Sequence, residues 1–461
     1  MTPDAKIQIF AIKRGNIKGK EIFCSALYPF YLTTIANYKA SRYNKGALSN
    51  FIYINPKTDV GSLKDEDIVS FVPMTAVECL TNNVTYEMTP YASVKNGFTV
   101  FRRGDLLWAK ITPCMQNGKS CIVDKMPTEI GFGSTEFHVL RAKKDSVYMP
   151  FVWALFSNWT VLKAAQAMFN GSAGQQRVSD SFFRDFPAIF PEYEVQKAIT
   201  DRLNKKLLVY KQKLEHAEDL LSGMDGFVLN LLKLSAKNNT NKLGFAVRLG
   251  KLDGAIDVKR YLNTNQIERQ LRIHNIADVI KGKINPQNYP EETFDWIRID
   301  DLPNRPIDIA KVREEQGNSI EGTFFEVRPG DILVARLGPT ILNRKTVMVR
   351  TIRRRTIASS EFLVLRCKEG YSPEAVMAIL KTKWFVDQMY ANSRGSTPSR
   401  YRLNRDDMLN LTFPDITDTK LQNIIASEVI RRRDQALTLR STAEKEWQNA
   451  REQFEKELLG E

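Results

Sequence analysis

Apolar residues along this chain keep two different rhythms. From Leu203, the positions Leu207, Tyr210, Leu214, Ala217, Leu221, Met224, Val228 and Leu231 follow one another at alternating steps of four and three. That spacing draws one stripe along a helix, and the stripe needs a partner helix to cover it. Gly223 and Gly226 each cost a helix about 1 kcal/mol relative to alanine, which predicts a bend or a stop near them. A looser stripe of Leu421, Ile425, Val429, Ala436, Ala443, Trp447, Ala450, Phe454 and Leu458 predicts a second long helix, with Glu444, Lys445, Arg451 and Glu452 on its outer faces. Other stretches are rich in aromatic and β-branched residues punctuated by Gly and Pro. FIYINP at 51–56, GFTVFRRGDLLWAKI at 97–111 and SCIVDKM at 120–126 predict strands and turns. PFVWALFSNWTVLKAAQAMF at 150–169 predicts a helix opened by Pro150, and SPEAVMAILKTKWFVDQMY at 372–390 a second with Ser372 as N-cap.

The two halves of the chain share these patterns. GDLLWAKITPCMQNGKSCIV at 104–123 aligns without a gap on GDILVARLGPTILNRKTVMV at 330–349, with eight identities at an offset of 226. GSTEFHVLRAKK at 133–144 matches ASSEFLVLRCKE at 358–369, with seven identities at an offset of 225. FAIKRG at 10–15 echoes FAVRLG at 245–250, and Phe227, Leu231 and Leu232 echo Phe454, Leu458 and Leu459. Solenoid units run to ~20–50 residues, so a period this long marks a duplicated domain. The expected fold is α+β: two tandem mixed α/β domains at 1–190 and 237–416, joined by helical segments at 191–236 and 417–461 that pair antiparallel as a coiled coil, with a pseudo-twofold internal repeat. The polar stretch SAKNNTNK at 235–242 reads as a linker opening the second half. A helix of ~35–40 residues is roughly 50–60 Å long, more than the ~34 Å of one DNA turn.

Charge adds a partner. The 461 residues hold 67 basic against 53 acidic side chains, a net charge of +14, which favours a polyanion. No run of about 18 apolar residues exists and the N-terminus is polar, so neither a membrane span nor a signal peptide is expected. The five cysteines (Cys24, Cys79, Cys114, Cys121, Cys367) form no CxxC pair, which suits a reducing cytoplasm and argues against zinc.

Catalytic signatures are weak. Of three histidines, His216 lies on the heptad helix and His138 is replaced by Leu363 in the second copy, a pattern of strand packing rather than catalysis. No phosphate loop or GxGxxG is present. PDITDTK at 414–420 superficially resembles a nuclease constellation, but its carboxylates stand three apart at a helix start. No Asp/Asn-Pro-Pro-aromatic tetrapeptide appears, so an amino-methyltransferase centre is not expected, nor is a metal site or a cofactor on this chain.

The repeated segments instead carry DNA-contact chemistry. The loop after the first Gly-Asp strand has Lys110, Thr112, Gln116, Asn117 and Lys119; its counterpart has Arg336, Asn343, Arg344 and Lys345. Arg and Lys suit guanine and phosphate, and Asn and Gln suit adenine. A second loop, GSAGQQRVS at 171–179, offers Gln175, Gln176 and Arg177, and RGSTPSRYR at 394–402 offers Arg394, Ser396, Arg400 and Arg402. Glu136 and Glu361 either accept from cytosine or form ion pairs with Arg141 and Arg366.

With these residues in hand, the chain resembles the DNA-specificity subunits of type I restriction-modification enzymes. GDLLWAKITPCMQNGK, GFGSTEF and GQQRVSDSFFRDFPAIFPEYEVQKAI carry the resemblance in the first copy. GDILVARLGPTILNRK, SSEFLVLR and GSTPSRYRLNRDDMLNLTFP carry it in the second, with RLGKLDGAIDVKRYL at 248–262 opening that half. Two departures stand out: the usual Pro-Pro-Leu-x-x-Gln start of the first helix is here FPEYEVQ, and FPDITDTKLQ is longer still, leaving the register of the second helix open. The resemblance implies two target-recognition domains, each reading half of a bipartite, asymmetric sequence in double-stranded DNA. It implies modification subunits docked on the helices, with S-adenosylmethionine, and restriction subunits with ATP and Mg. Two other readings remain open. One is a related system whose partner chain both cleaves and methylates; the other is a coiled-coil scaffold that does not read sequence.

Overall fold

The computed structural model describes residues 28–61, 63–171, 175–234, 270–309 and 312–460. The FAIKRG and FAVRLG echoes, the SAKNNTNK linker, the RLGKLDGAIDVKRYL segment, Cys24 and positions 172–174 of the GSAGQQRVS loop lie outside the described residues. Two compact units emerge, Met1–Gln212 with Thr442–Glu461, and Lys213–Ser441. Both boundaries fall inside long helices.

In the first unit a four-stranded antiparallel sheet runs in the order Ile52–Ile54, Phe137–Ala142, Leu106–Ala109, Ser120–Ile122. The Gly-Asp strand, LLWA, is buried throughout because both faces are covered. Side chains alternate across it: Leu106 and Trp108 join the helical core with Phe151 and Phe156, while Leu107 and Ala109 join a second core with Phe101 and Val139. A second sheet, in the order Glu87–Pro90, Ile68–Val72, Ile130–Gly133, Thr99–Arg102, closes over that second core.

The second unit repeats the plan. Its sheet runs Ala277–Val279, Phe362–Cys367, Ile332–Ala335, Thr346–Met348. Ile332 and Val334 face one core, Leu333 and Ala335 the other. The neighbouring sheet gains a fifth strand: Lys283–Ile284, Phe324–Val327, Thr356–Ala358, Thr293–Ile297, Arg313–Gln316. Its single parallel pairing, Ile297 on Ala358, matches Val72 on Gly133 at the repeat offset.

The central helix (Tyr193–Leu231) and the C-terminal helix (Thr419–Leu459) are the longest elements. Within the first unit Arg202 meets Glu457 at 2.5 Å, and the Tyr210 ring stacks on Trp447 at 5.9 Å. Within the second, Glu218 meets Arg440 at 3.0 Å. Rising numbers on one helix face falling numbers on the other, so they run antiparallel in each unit. The heptad stripe is the covered face, with Leu203, Leu207, Ala217 and Val228 buried.

Three expectations need correction. The central helix does not stop at Gly223 and Gly226 but runs on to Leu231; there a β-carbon at Gly223 would come within 2.9 Å of the Arg432 guanidinium, so the glycine admits a crossing side chain. Arg451 is not on an outer face: it is half-buried, its guanidinium 5.6 Å from the Trp447 ring. The stretches at 150–169 and 372–390 each form two helices, Met149–Phe156 with Trp159–Gln166, and Pro373–Leu380 with Lys383–Ala391. Each break is a new N-cap: the Asn158 side chain accepts the Thr160 N–H, and Thr382 accepts from Phe385. Ser372 caps its helix as expected, accepting from Ala375.

Candidate nucleic-acid interface

The Gly-Asp strand ends at Lys110, and the backbone there ties three loops together. The Lys110 N–H donates to the Glu136 carbonyl (2.9 Å), and its own carbonyl accepts the Val178 N–H (2.9 Å). The second unit does the same around Arg336, whose N–H reaches the Glu361 carbonyl (3.2 Å) and whose carbonyl accepts from Leu403 (2.8 Å). The three polar segments singled out in each copy therefore meet at one place per unit: 110–119, 133–136 and 175–178 in the first, 336–345, 358–361 and 394–403 in the second.

A glutamate stands at the centre of each meeting point. Arg177 grips Glu136 through Nε (2.9 Å) and Nη2 (2.7 Å), and its Nη1 donates to the Gln175 carbonyl. Hydrogen bonding from Arg177 holds the Glu136 carboxyl below its usual range. Arg402 meets Glu361 at 3.0 Å. The expected partners, Arg141 and Arg366, go elsewhere. Arg141 closes on Asp105 with two bonds of 2.7 Å, and Arg366 on Asp331 at 2.8 and 2.7 Å; each aspartate is 1% exposed. These are the aspartates of the two Gly-Asp motifs. Each also accepts a backbone N–H three residues earlier, from Arg102 and Arg328, so a buried carboxylate is fully hydrogen-bonded.

The remaining predicted residues divide by what holds them. Lys119 and Lys345 donate to the carbonyls of Met74 (2.9 Å) and Ile299 (3.1 Å), and pin a loop of the second sheet in each unit. Arg344 pairs with Asp225 of the central helix at 3.0 Å, and exposed Arg394 with Asp407 at 3.1 Å. The Thr112 hydroxyl donates to Gln116 (2.6 Å), while Arg336 reaches Asn404 only at 3.4 Å and keeps a buried Nε with no partner among the described residues. Asn117, Gln175, Asn343, Ser396 and Arg400 are exposed, and Lys110 and Gln176 are half-exposed. No side-chain hydrogen bond or ion pair among the described residues holds these seven. They can offer an ammonium, a guanidinium, a hydroxyl and amide donors and acceptors to a ligand at no cost in broken bonds.

His138 is a core residue, as the Leu363 replacement implied. Its Nε2–H donates to the Val178 carbonyl at 2.8 Å, and burial pushes the imidazole below its ordinary pKa. Asp415 and Asp418 of PDITDTK accept the N–H groups of Thr417 and Lys420 and shape the start of the C-terminal helix. No cluster of metal-ligating side chains occurs among the described residues.

Sequence reasoning missed Asp105 and Asp331, and it left unmatched the glutamines that end FPEYEVQ and FPDITDTKLQ. Gln196 accepts the Tyr148 N–H and donates to the Ser146 carbonyl; Gln422 accepts from Ser372 and donates to the Gly370 carbonyl. The shared offset of 226 was the signal. Aligning the helix starts on that offset, rather than on Phe-Pro, sets the register that FPDITDTKLQ left open.

Two curated relatives carry the same kind of sequence. The EcoAI type I restriction enzyme specificity subunit of Escherichia coli is 33% identical over 198 residues, 42% of this chain and 33% of that one. The EcoEI type I restriction enzyme specificity subunit of Escherichia coli is 23% identical over 433 residues, 78% of this chain and 73% of that one. The chain thus spans a third of the length of the first relative and about three-quarters of the second. No family model matches the chain. Among solved structures, a chain from a type I R-M system is 14% identical with a TM-score of 0.46, covering 86% of this chain and 91% of that one. The S subunit of the Type-I restriction-modification system from M. genitalium is 12% identical with a TM-score of 0.40, covering 89% and 94%. The chain is therefore similar to type I restriction enzyme specificity subunits, the proteins that its motifs resemble.

Proposed function

We propose, from the similarity of this chain to type I restriction enzyme specificity subunits, that it is a DNA sequence-recognition subunit without chemistry of its own. Each unit reads one half of a bipartite, asymmetric target in double-stranded DNA. The observation that carries this is the meeting of three polar loops at Lys110 and again at Arg336, with the same backbone bonds holding both. The frames match while the residues offered to a ligand differ: Asn117, Gln175 and Gln176 in one, Asn343, Ser396 and Arg400 in the other. Bidentate amides favour adenine and guanidinium favours guanine or phosphate, so unlike loops read unlike half-sites. Methyltransferase subunits that modify adenine dock on the helical segments, and restriction subunits join them; S-adenosylmethionine, ATP and Mg belong to those partners.

The test is a map of methylated adenines in cells with and without the gene, the partner genes being present. A split motif with unlike halves, lost when the gene is deleted, is the expected result. A methylation pattern that does not change on deletion would overturn the reading.

A further inference from the structure

The two units differ at a place where the repeat predicts sameness. After the strand Ile52–Ile54, the first unit leaves a cleft of about 460 Å³ between the segment Asn55–Thr58 and the strand Thr99–Arg102. In the second unit the same two segments are zipped into a sheet. Lys283 pairs with Phe325 and Ile284 with Phe324, and the Lys283 ammonium lies 5.0 Å from the centre of the Phe325 ring. The correspondence is fixed by backbone bonds. Asn55 and Ile280 donate to the carbonyls of Val139 and Val364, Thr99 pairs with Gly133, and Phe325 pairs with Ala358. Thr99 therefore stands where Phe325 stands, and Thr58 where Lys283 stands. An aromatic plug in one unit is a small hydroxyl in the other.

The lining has the chemistry of a nucleotide site. Phe137 and Val139 floor the cleft with only 2% of each exposed, Val100 turns its side chain to Phe132 on the other face of the strand, and Thr99 with Lys57 and Lys110 supplies a hydroxyl and two ammonium groups. The neighbouring carboxylates are already neutralised, Asp105 by Arg141 and Glu136 by Arg177. No hydrogen bond or ion pair among the described residues holds Lys57, Lys110 or the Thr99 hydroxyl. A volume of this size falls in the ~300–1,000 Å³ range of small-ligand pockets. Two ammonium groups beside a free hydroxyl suit a ligand that carries an anionic group and hydroxyls, as a nucleotide's phosphate and sugar do.

We propose that this cleft is a nucleotide subsite, holding a phosphate at Lys57 and Lys110 and its sugar against Thr99. The assignment deepens the DNA-reading role of the first unit and rests on it. The phosphate–sugar–base group has two sources, a nucleotide unstacked from bound DNA or a free mononucleotide, and the experiment separates them.

Fluorescence anisotropy on the full chain with a labelled duplex bearing the mapped target is the assay, with AMP as the free-nucleotide probe. Thr99→Phe restores the plug of the second unit, and Lys57→Gln, at an exposed position, removes one ammonium. Unchanged thermal unfolding identifies folded variants. Both variants should weaken duplex binding at least tenfold, and Lys57→Gln should lower the salt slope by about one. A rise in 2-aminopurine emission from the duplex on binding wild type, absent with Thr99→Phe, assigns the site to a DNA nucleotide. AMP binding that Thr99→Phe abolishes assigns it to a free one. If wild type binds the duplex with steep salt dependence but does not bind AMP, and both variants bind the duplex equally well, the subsite is wrong and DNA reading stands. If wild type binds no duplex, the DNA-reading role fails, and the AMP titration alone then keeps or sinks the cleft.

Discussion

Arg141 and Asp105 form a two-bond ion pair beneath the Gly-Asp strand, and Arg366 and Asp331 form it again 225 and 226 residues later. Each aspartate is sealed from solvent while its arginine keeps an edge exposed. Breaking such a pair leaves a half-buried guanidinium without its counter-charge. Asp105→Asn should lower unfolding free energy by about 3–5 kcal/mol, and Asp331→Asn by a similar amount. Urea titration monitored by tryptophan fluorescence reads both. A loss below 1 kcal/mol would mean that water reaches the arginine and the pair is dispensable.

Gln196 and Gln422 test whether the helix starts are equivalent. Each side chain bridges two backbone groups of the loop that precedes a buried helix. Replacement by alanine removes two hydrogen bonds from part-buried backbone groups that water can reach, so each variant should lose about 1 kcal/mol. Equal losses support one shared register; a neutral Gln422→Ala would separate the two copies.

Loop residues that are held and those that are not should behave differently. Arg400→Ala and Lys110→Ala remove groups with no side-chain partner among the described residues, and should leave thermal unfolding unchanged while lowering the salt slope of DNA binding by about one each if they contact phosphate. Loss confined to one base position would instead mark base reading, at about 1–3 kcal/mol. Arg177→Ala frees Glu136 as well, and should reduce stability and affinity together. Anisotropy across a salt series with scanning calorimetry distinguishes these outcomes.

His138 gives a pH prediction. Its folded pKa lies below its ordinary value of 6.5, because burial disfavours the imidazolium. Above pH 6.5 both folded and unfolded chains hold it neutral and it contributes no slope. As pH falls below 6.5 the unfolded chain takes the proton first, so the native state loses stability. His138→Leu, the residue of the second copy, should flatten that acid limb while sacrificing the bond to Val178. Urea midpoints at pH 7.5 and 5.5 make the comparison, since the depressed Glu136 acts only below its ordinary 4.5. An undiminished slope in the variant would place the titrating group elsewhere.

Much of this was legible in the sequence. The heptad stripe gave the covered face of the central helix, and the 226-residue offset gave two similar units. What escaped were partners distant in the chain. Glu136 sits five residues from Arg141, so proximity suggested that pair; the strand sends Arg141 to Asp105 and leaves Glu136 for Arg177, 41 residues away. Side chains five apart on a strand and its turn point in unlike directions, which no periodicity records. The helix breaks at Asn158 and Thr382 escaped because apolar runs continue across them; only a capping bond marks the interruption.

The bonds from Lys119 to Met74 and from Lys345 to Ile299 end on carbonyl oxygens. A carbonyl is present whatever side chain the residue carries, and Met74 and Ile299 already differ. A loop anchored this way can exchange every side chain it displays and still be held in place. New recognition can then arise by point substitution on an unaltered scaffold, without the intermediate forms having to refold.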